Sequence, residues 1–334
     1  MFSRDRSAPL STTSRRWFSV IVVVVAVVVG LGAGELVIRL KNRSMSNYDI
    51  EMWRYSKELK ERSSDPILDF EHRPNSQALL QSVSIRIDEA GLRGGPAPPP
   101  VEGQRRILFL GSSITLGWGV PEAQTFSALV EKGLKDHGVD AAVMNAGIGN
   151  YNTVRYVRRF LTRLTDLAPT DLVVQAFVRD GEVLEPANAN ALLRNSELAM
   201  TLWIAYHRLF DVGGEGALEA HYREAYQPGS AGMRDFEAAF AALADYAHAH
   251  NIRLYMVMTP DVHNLKNYQL QFVHDIFSGI ANRYGYRYLD LRPFLGSMTP
   301  EQLWAMPGDP HPNAQGHRIM AEAFLPVLLE AGGR

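Results

Sequence analysis

The chain has 334 residues, no cysteine, and 36 acidic against 34 basic side chains, for a formal charge of −2. That balance offers no basic surface for nucleic acid. The lack of cysteine excludes disulfides, thiolate metal sites and cysteine nucleophiles, without fixing a compartment.

The first distinctive segment is Trp17–Gly34, eighteen residues without a charge, after which Glu35 is followed by Leu36-Val37-Ile38. Roughly 20 apolar residues cross a bilayer core as a helix. Valine is a modest helix former in water, but in lipid every backbone group must pair internally, so helix is expected. Arg4, Arg6, Arg15 and Arg16 precede the run, and Arg39, Lys41 and Arg43 follow it. The slight positive-inside bias predicts a cytoplasmic tail over residues 1–16 and a transmembrane anchor over 17–40, with the large domain outside. A cleaved signal peptide with Gly32-Ala33-Gly34 as its small-residue site is the competing reading. The length of the run and the basic residues after it favour the retained, single-pass anchor. Gly30, Gly32 and Gly34 also permit close approach of another membrane helix.

Residues 41–104 read as a linker and N-terminal extension. They are polar up to Ser64, then carry Val83-Ser84-Ile85-Arg86-Ile87, whose alternation predicts a strand laid on the main domain. Gly94-Gly95-Pro96-Ala97-Pro98-Pro99-Pro100 breaks regular structure and marks a boundary.

From Arg105 to Arg334 short apolar runs alternate with amphipathic stretches. Strands are expected at Ile107–Leu110, Ala141–Met144, Leu172–Phe177, Leu254–Met258 and Tyr286–Asp290. Helices are expected at Thr125–His137, Val154–Leu164, Phe236–His250, Gln269–Arg283 and Ala314–Leu329. This alternation predicts an α/β fold: a doubly wound, flavodoxin-like, five-stranded parallel sheet with helices on both faces. An insertion over about 183–233, helical around Ala191–Phe210, is expected between the third and fourth strands, where it would shape a substrate groove or dock on a partner.

Two short segments carry chemistry. Gly111-Ser112-Ser113-Ile114-Thr115 follows the first strand, and a small-residue turn leaving a strand exposes a nucleophilic hydroxyl. Gly308-Asp309-Pro310-His311-Pro312-Asn313 precedes the last helix and holds an imidazole beside a carboxylate, which is what such a hydroxyl needs to lose its proton. Pro310 restricts Asp309 to an extended conformation. His317 falls on the last helix and is expected to pack or cap. His263, after Thr259-Pro260-Asp261, is a candidate to line the pocket. Nothing in the spacing of Asp261, His263, Asp309 and His311 requires a metal. No P-loop or dinucleotide fingerprint is present, so no cofactor is expected.

With these residues in place, the chain resembles the SGNH (GDSL-type) hydrolase superfamily, in particular its membrane-anchored bacterial members, from about Asp65 to Leu329. The run-in segments Phe70–Asn75 and Asp88–Gly94 share the likeness. In the first block, the resemblance makes Ser113 the nucleophile and an oxyanion donor through its N–H, with Ser112 replacing the family's Asp; Gly117-Trp118-Gly119-Val120 continues the likeness. The second block, Asn145-Ala146-Gly147-Ile148-Gly149-Asn150, implies Gly147 as an oxyanion donor, with glycine leaving the backbone open to substrate. The third block places Phe177-Val178-Arg179-Asp180 where the family has an Asn-Asp pair. Arg179 stands for the amide donor, and either supplies N–H groups or points elsewhere. Losing one such donor costs about 10²–10³ in rate. In the fourth block His311 becomes general base and Asp309 its orienting partner, spaced by two residues where the family usually has three. Asn145, Asp180 and His263 are further pocket candidates.

The resemblance implies a serine esterase or O-acyltransferase facing the envelope side of the cytoplasmic membrane. It would bind the bilayer through residues 17–40 and act on acyl esters or carbohydrate, acetyl groups on envelope or exported polysaccharide above all. The competing reading is a catalytically reduced member of the same fold, serving as a structural or interaction subunit with membrane-protein partners. Arg179, Ser112 and the valine-rich anchor motivate it.

Overall fold

A computed structural model describes residues 12–184, 191–210 and 216–330. Arg4 and Arg6 of the expected cytoplasmic tail, and parts of the expected insertion, lie outside the described residues. The described residues divide into two compact units, one within Met1–Ile50 and Ala189–Asp211, the other within Glu51–Asn188 and Val212–Arg334.

In the larger unit the architecture follows from five parallel strands, four of them largely apolar and the last, Arg287–Asp290, a mixed edge strand. In chain order the chain runs α1 (Thr12–Asn42), α2 (Tyr48–Leu59), β1 (Lys60–Arg62), β2 (Phe70–His72), β3 (Ser76–Leu80) and β4 (Val83–Ile87). Then come β5 (Arg105–Gly111), α3 (Ser113–Leu116), α4 (Phe126–Asp136), β6 (Ala141–Asn145), α5 (Thr153–Arg159) and β7 (Asp171–Phe177). Four helices follow: α6 (Ala191–Asn195), α7 (Glu197–Phe210), α8 (Ala217–Ala225) and α9 (Ala231–Ala249). The chain closes through β8 (Arg253–Thr259), α10 (Gln271–Tyr284), β9 (Arg287–Asp290), α11 (Arg292–Leu295), α12 (Pro300–Leu303), β10 (Trp304–Met306), β11 (Asp309–Pro312) and α13 (Ala314–Glu330).

The main sheet has the order β6-β5-β7-β8-β9 with every neighbouring pair parallel. This is the doubly wound, flavodoxin-like α/β arrangement expected from the sequence. All seven residues of β5 are buried, as a parallel strand covered on both faces must be. One face packs Leu108, Leu110, Val174 and Met256 against α5, α9 and α10; the other packs Phe109, Val173 and Val257 against α4 and α13. The strand order reverses between β6 and β7 around β5, so the crevice at the C-terminal end of β5 is where this topology places a site.

The expected strands match to within a residue or two, and the departures have local causes. α9 begins at Ala231, five residues before the expected Phe236, because the Ser230 hydroxyl accepts the Met233 N–H and caps the helix there. The expected helix Val154–Leu164 is α-helical only to Arg159 and continues as a π-turn over Phe160–Leu164. Tyr286 stays out of β9: it follows Gly285, which ends α10 in the left-handed conformation, and its N–H returns to Ala281 O.

The stretch 41–104, expected as linker and extension, is largely folded. Tyr55, Leu59, Leu68, Leu80, Ile85 and Ile87 are buried. β4 pairs with β3 in a tight hairpin, Leu80 opposite Val83, turning through Gln81 and Ser82 at φ 48° and 62°. Arg93 bridges to the second block through its N–H on Asn145 O.

The smaller unit pairs α1 with α6 and α7. α1 is long and apolar enough to cross a membrane, and the side chains of its apolar run are exposed throughout. The expected insertion is therefore divided: Ala191–Phe210 belongs with α1, while α8 and Tyr226 belong to the larger unit, where Tyr222 and Tyr226 are buried.

Candidate active site

β5 ends at Gly111, whose position leaves no room for a side chain: a Cβ there would lie 2.1 Å from Thr115 Oγ1 and 2.9 Å from Gln175 O. The chain then turns into α3, a single helical turn beginning at Ser113 and closed by Gly117 at φ 76°. Buried Arg93 clamps the far end of this turn, its guanidinium donating to Leu116 O, Gly117 O and Val120 O. Ser113 is thus held at the first position of a helix, where a backbone N–H has no intrahelical acceptor.

β11 brings the imidazole to it. His311 Nε2 lies 2.7 Å from Ser113 Oγ. His311 Nδ1 lies 2.6 Å from Asp309 Oδ1, which also accepts the His311 backbone N–H at 3.1 Å. Asp309 is fully buried and His311 nearly so. Since the carboxylate accepts, Nδ1 carries the proton and Nε2 faces the hydroxyl as acceptor, the tautomer a general base requires. The two-residue spacing is accommodated because Asp309 folds its carboxylate back over its own next-but-one N–H.

Two residues without an expected role complete the arrangement. Asp309 Oδ2 accepts from Trp118 Nε1 at 3.0 Å and from Gln81 Nε2 at 2.6 Å. The buried carboxylate therefore accepts four hydrogen bonds. Trp118 is buried and its ring lies 6.5 Å from that of His311, tilted by 59°. Trp118 belongs to the motif after Ser113, but nothing in the motif says where its N–H goes. For Gln81 the available signal is positional: Gln81-Ser82 separates two alternating runs, as a two-residue hairpin turn does, without the usual Asn-Gly.

The second block is held from the N-terminal segment. Tyr55 Oη accepts the Gly149 N–H at 2.9 Å and donates to His72 Nε2 at 2.7 Å, while His72 Nδ1 donates to Gly91 O at 2.9 Å. Lys60 Nζ donates to Gly149 O at 2.7 Å. Lys60 sits over the rings of Tyr55 and Phe70, and burial pushes its pKa well below the ordinary lysine value. The edge of Tyr55 meets Trp118 at 5.5 Å, which ties this layer to the triad's support.

The other expected site residues fall differently. The Gly147 N–H donates to Asn145 Oδ1 at 3.0 Å. Glycine is needed at 147 because a Cβ would lie 2.2 Å from Leu116 N, so its open side faces the turn that carries Ser113. Asn145 is buried and braces that same turn, donating to Thr115 O at 2.6 Å and Ser127 Oγ at 3.1 Å. It lines a cavity of 490 Å³ together with Arg93 and Thr125, and Ser113 is not among the lining residues. Arg179 donates from Nε and Nη2 to Glu182 Oε2, at 3.2 and 3.1 Å. Asp180 is buried, accepting from Phe177 N–H and Tyr156 Oη, each at 3.1 Å, and burial pushes its pKa up to about 8. It lines a second cavity, of 550 Å³, with Arg155 and Glu182.

His263 is half exposed beyond the C-terminal end of β8. Its Nδ1 lies 2.8 Å from Asp261 Oδ1, and that carboxylate raises its pKa. Its ring meets Trp304, which pairs with Pro312 beside His311. His317 caps: its Nδ1 accepts the Phe126 N–H at 2.9 Å at the start of α4, and burial drives its pKa down to about 3.

Fold and site together define a doubly wound α/β protein with a Ser–His–Asp relay at the switch point of its sheet, and in this the chain resembles the SGNH (GDSL-type) hydrolases. No protein-family model and no curated protein matches the sequence. Solved structures similar to it include an acetyl xylan esterase (18% identity, 67% of this chain and 99% of that one, TM-score 0.44). The esterase EstA from Pseudoalteromonas sp. (12%, 69% and 100%, 0.44) and a lipase/acylhydrolase from Enterococcus faecalis (13%, 68% and 97%, 0.44) are also similar.

Proposed function

We propose that the chain is a membrane-anchored serine esterase or O-acyltransferase working through Ser113, His311 and Asp309. The relay Ser113 Oγ–His311 Nε2–Asp309, with links of 2.7 and 2.6 Å, carries the reading. His311 removes the Ser113 proton as Oγ attacks an ester carbonyl carbon, and Asp309 steadies the imidazolium. The tetrahedral adduct collapses as His311 returns that proton to the leaving alkoxide oxygen, leaving an acyl-serine. Water or a sugar hydroxyl, deprotonated by His311 in turn, then takes the acyl group. The Ser113 N–H supports the oxyanion from the first position of α3. The proposed setting is the outer side of the cytoplasmic membrane, with α1 as a single-pass anchor, and the proposed substrates are small acyl esters, acetyl above all, on carbohydrate.

One observation favours the second reading, a catalytically reduced subunit of a membrane complex. Of the three expected oxyanion donors, Gly147 N–H is engaged by Asn145 and Arg179 by Glu182.

Labelling the full chain with a fluorophosphonate probe separates the two. The active reading expects adduct at Ser113, with fluoride released, and none in Ser113→Ala or His311→Ala. Absence of adduct on folded wild-type protein supports the second reading.

A further inference from the structure

α1 carries one carboxylate within its apolar run, Glu35, and that carboxylate is fully engaged. Glu35 Oε2 accepts from Ser196 Oγ at 2.7 Å and from the Leu198 N–H at 2.9 Å; Oε1 accepts from the Glu197 N–H at 3.0 Å and from Arg39 Nε at 2.7 Å. Glu35 thus caps the start of α7 from another helix, placing negative charge at the positive end of the α7 dipole. Arg39 Nη2 donates to Asn195 O at 3.2 Å, and Asn42 Nδ2 to Glu197 Oε2 at 2.9 Å. Gly34 lets the helices approach, since a Cβ there would lie 3.2 Å from Leu198 Cδ2. An ionised carboxylate at membrane depth costs about 2.5–3.5 kcal/mol on insertion scales and is found paired. The first turn of α7 supplies that pairing.

Beyond this clamp α7 exposes Leu202, Trp203, Tyr206 and Leu209, between 46% and 80% accessible. Positions 202, 206 and 209 form one stripe on a helix. We infer that α7 is a second membrane-contacting element: an interfacial helix, locked to the anchor through Glu35, whose Leu202–Leu209 face lies at the boundary of acyl chains and headgroups. The occupant is the bilayer because Glu35, Arg39 and Asn42 hold the start of α7 against α1, whose apolar run presents exposed side chains. Tryptophan and tyrosine are the side chains that settle at such a boundary. Lys41 and Arg43, at the same end of α1, suit anionic headgroups.

This inference rests on α1 being a retained anchor, and its test treats the two separately. The chain has no native cysteine, so Val24→Cys, Tyr206→Cys and Lys132→Cys each carry a single NBD label. The full-length variants are placed in phosphatidylcholine–phosphatidylglycerol vesicles with and without brominated acyl chains. The expected result is loss of NBD emission to brominated lipid at positions 24 and 206, with emission at the exposed α4 position 132 unchanged. Adding Glu35→Ala relieves the quenching at 206 and not at 24. Quenching at 24 without quenching at 206 overturns the inference and spares the anchor. No quenching at 24 overturns the anchor reading and the inference with it. Quenching at 206 that survives Glu35→Ala overturns the role of Glu35 as the lock.

Discussion

Gln81 Nε2 lies 2.6 Å from Asp309 Oδ2, joining a hairpin turn of the N-terminal segment to the carboxylate of the triad across 228 residues of chain. Together with Trp118 it leaves Asp309 oriented and shielded. A hydrogen bond to a charged group contributes about 1.5–3 kcal/mol, and both donors here act on one buried carboxylate.

Gln81→Leu and Trp118→Phe are therefore positioning variants. Each removes a donor from Asp309 and so loosens the carboxylate that orients the His311 imidazole. The rate of Ser113 phosphonylation at neutral pH is expected to fall by about tenfold, the equivalent of 1.4 kcal/mol, with the denaturation midpoint little changed. A merely structural role would lower the denaturation midpoint and the rate together.

Gly147→Ala tests the reading of that glycine as a packing position. The added Cβ meets Leu116 N at 2.2 Å and the Thr115 carbonyl carbon at 2.7 Å, both backbone. The nucleophile turn must shift, so Ser113 labelling is expected to collapse. Stability should fall by about 1–3 kcal/mol, the usual range for overpacking, read as a lower midpoint in denaturant.

Asp180 makes the fold sensitive to alkali. Its folded pKa, about 8, stands above the ordinary aspartate value of 3.8 because burial penalises the charge. The native state therefore holds a proton that the unfolded chain has released, and stability declines as pH rises from about 4 to about 8. Asp180→Asn, neutral at every pH, is expected to flatten that decline in a series of thermal midpoints; an unchanged slope would show that Asp180 ionises without penalty.

His317 acts with the opposite sign. Its folded pKa of about 3 lies below the ordinary histidine value of 6.5, because burial penalises the charged ring. The unfolded chain takes up a proton that the folded one refuses, so stability is complete above pH 6.5 and is lost as pH falls toward 3. His317→Gln, which keeps an acceptor for Phe126 N–H without basicity, should lessen acid destabilisation between those values. The readout is the denaturation midpoint at pH 4 relative to pH 7.

Much of this was legible in the sequence. β5 reads as a buried strand because Ile107–Leu110 is continuously apolar, and Gly111-Ser112-Ser113 reads as a turn because small residues follow it. His311 and Asp309 lie two apart, so their meeting is a local matter; the 198 residues between Ser113 and His311 are bridged by the predictable βαβ alternation. Gln81, Tyr55 and His72 were not legible as site residues. Gln81 reaches Asp309 and Tyr55 reaches Gly149 through one long-range hydrogen bond each, His72 joins only through Tyr55 and Gly91, and such single bonds leave no periodicity along the chain.

The sequence by itself determined the class of fold, the apolar α1 and the three residues of the relay, because strand burial, helix length and a strand-end turn are written in local patterns of polarity and size. Only the tertiary structure decided the direction of individual donors. It turned Gly147 N–H onto Asn145, Arg179 onto Glu182, Trp118 and Gln81 onto Asp309, and the start of α7 onto Glu35. A hydrogen bond is fixed by a few tenths of an ångström and a few tens of degrees, and that precision arises from the packing of whole elements.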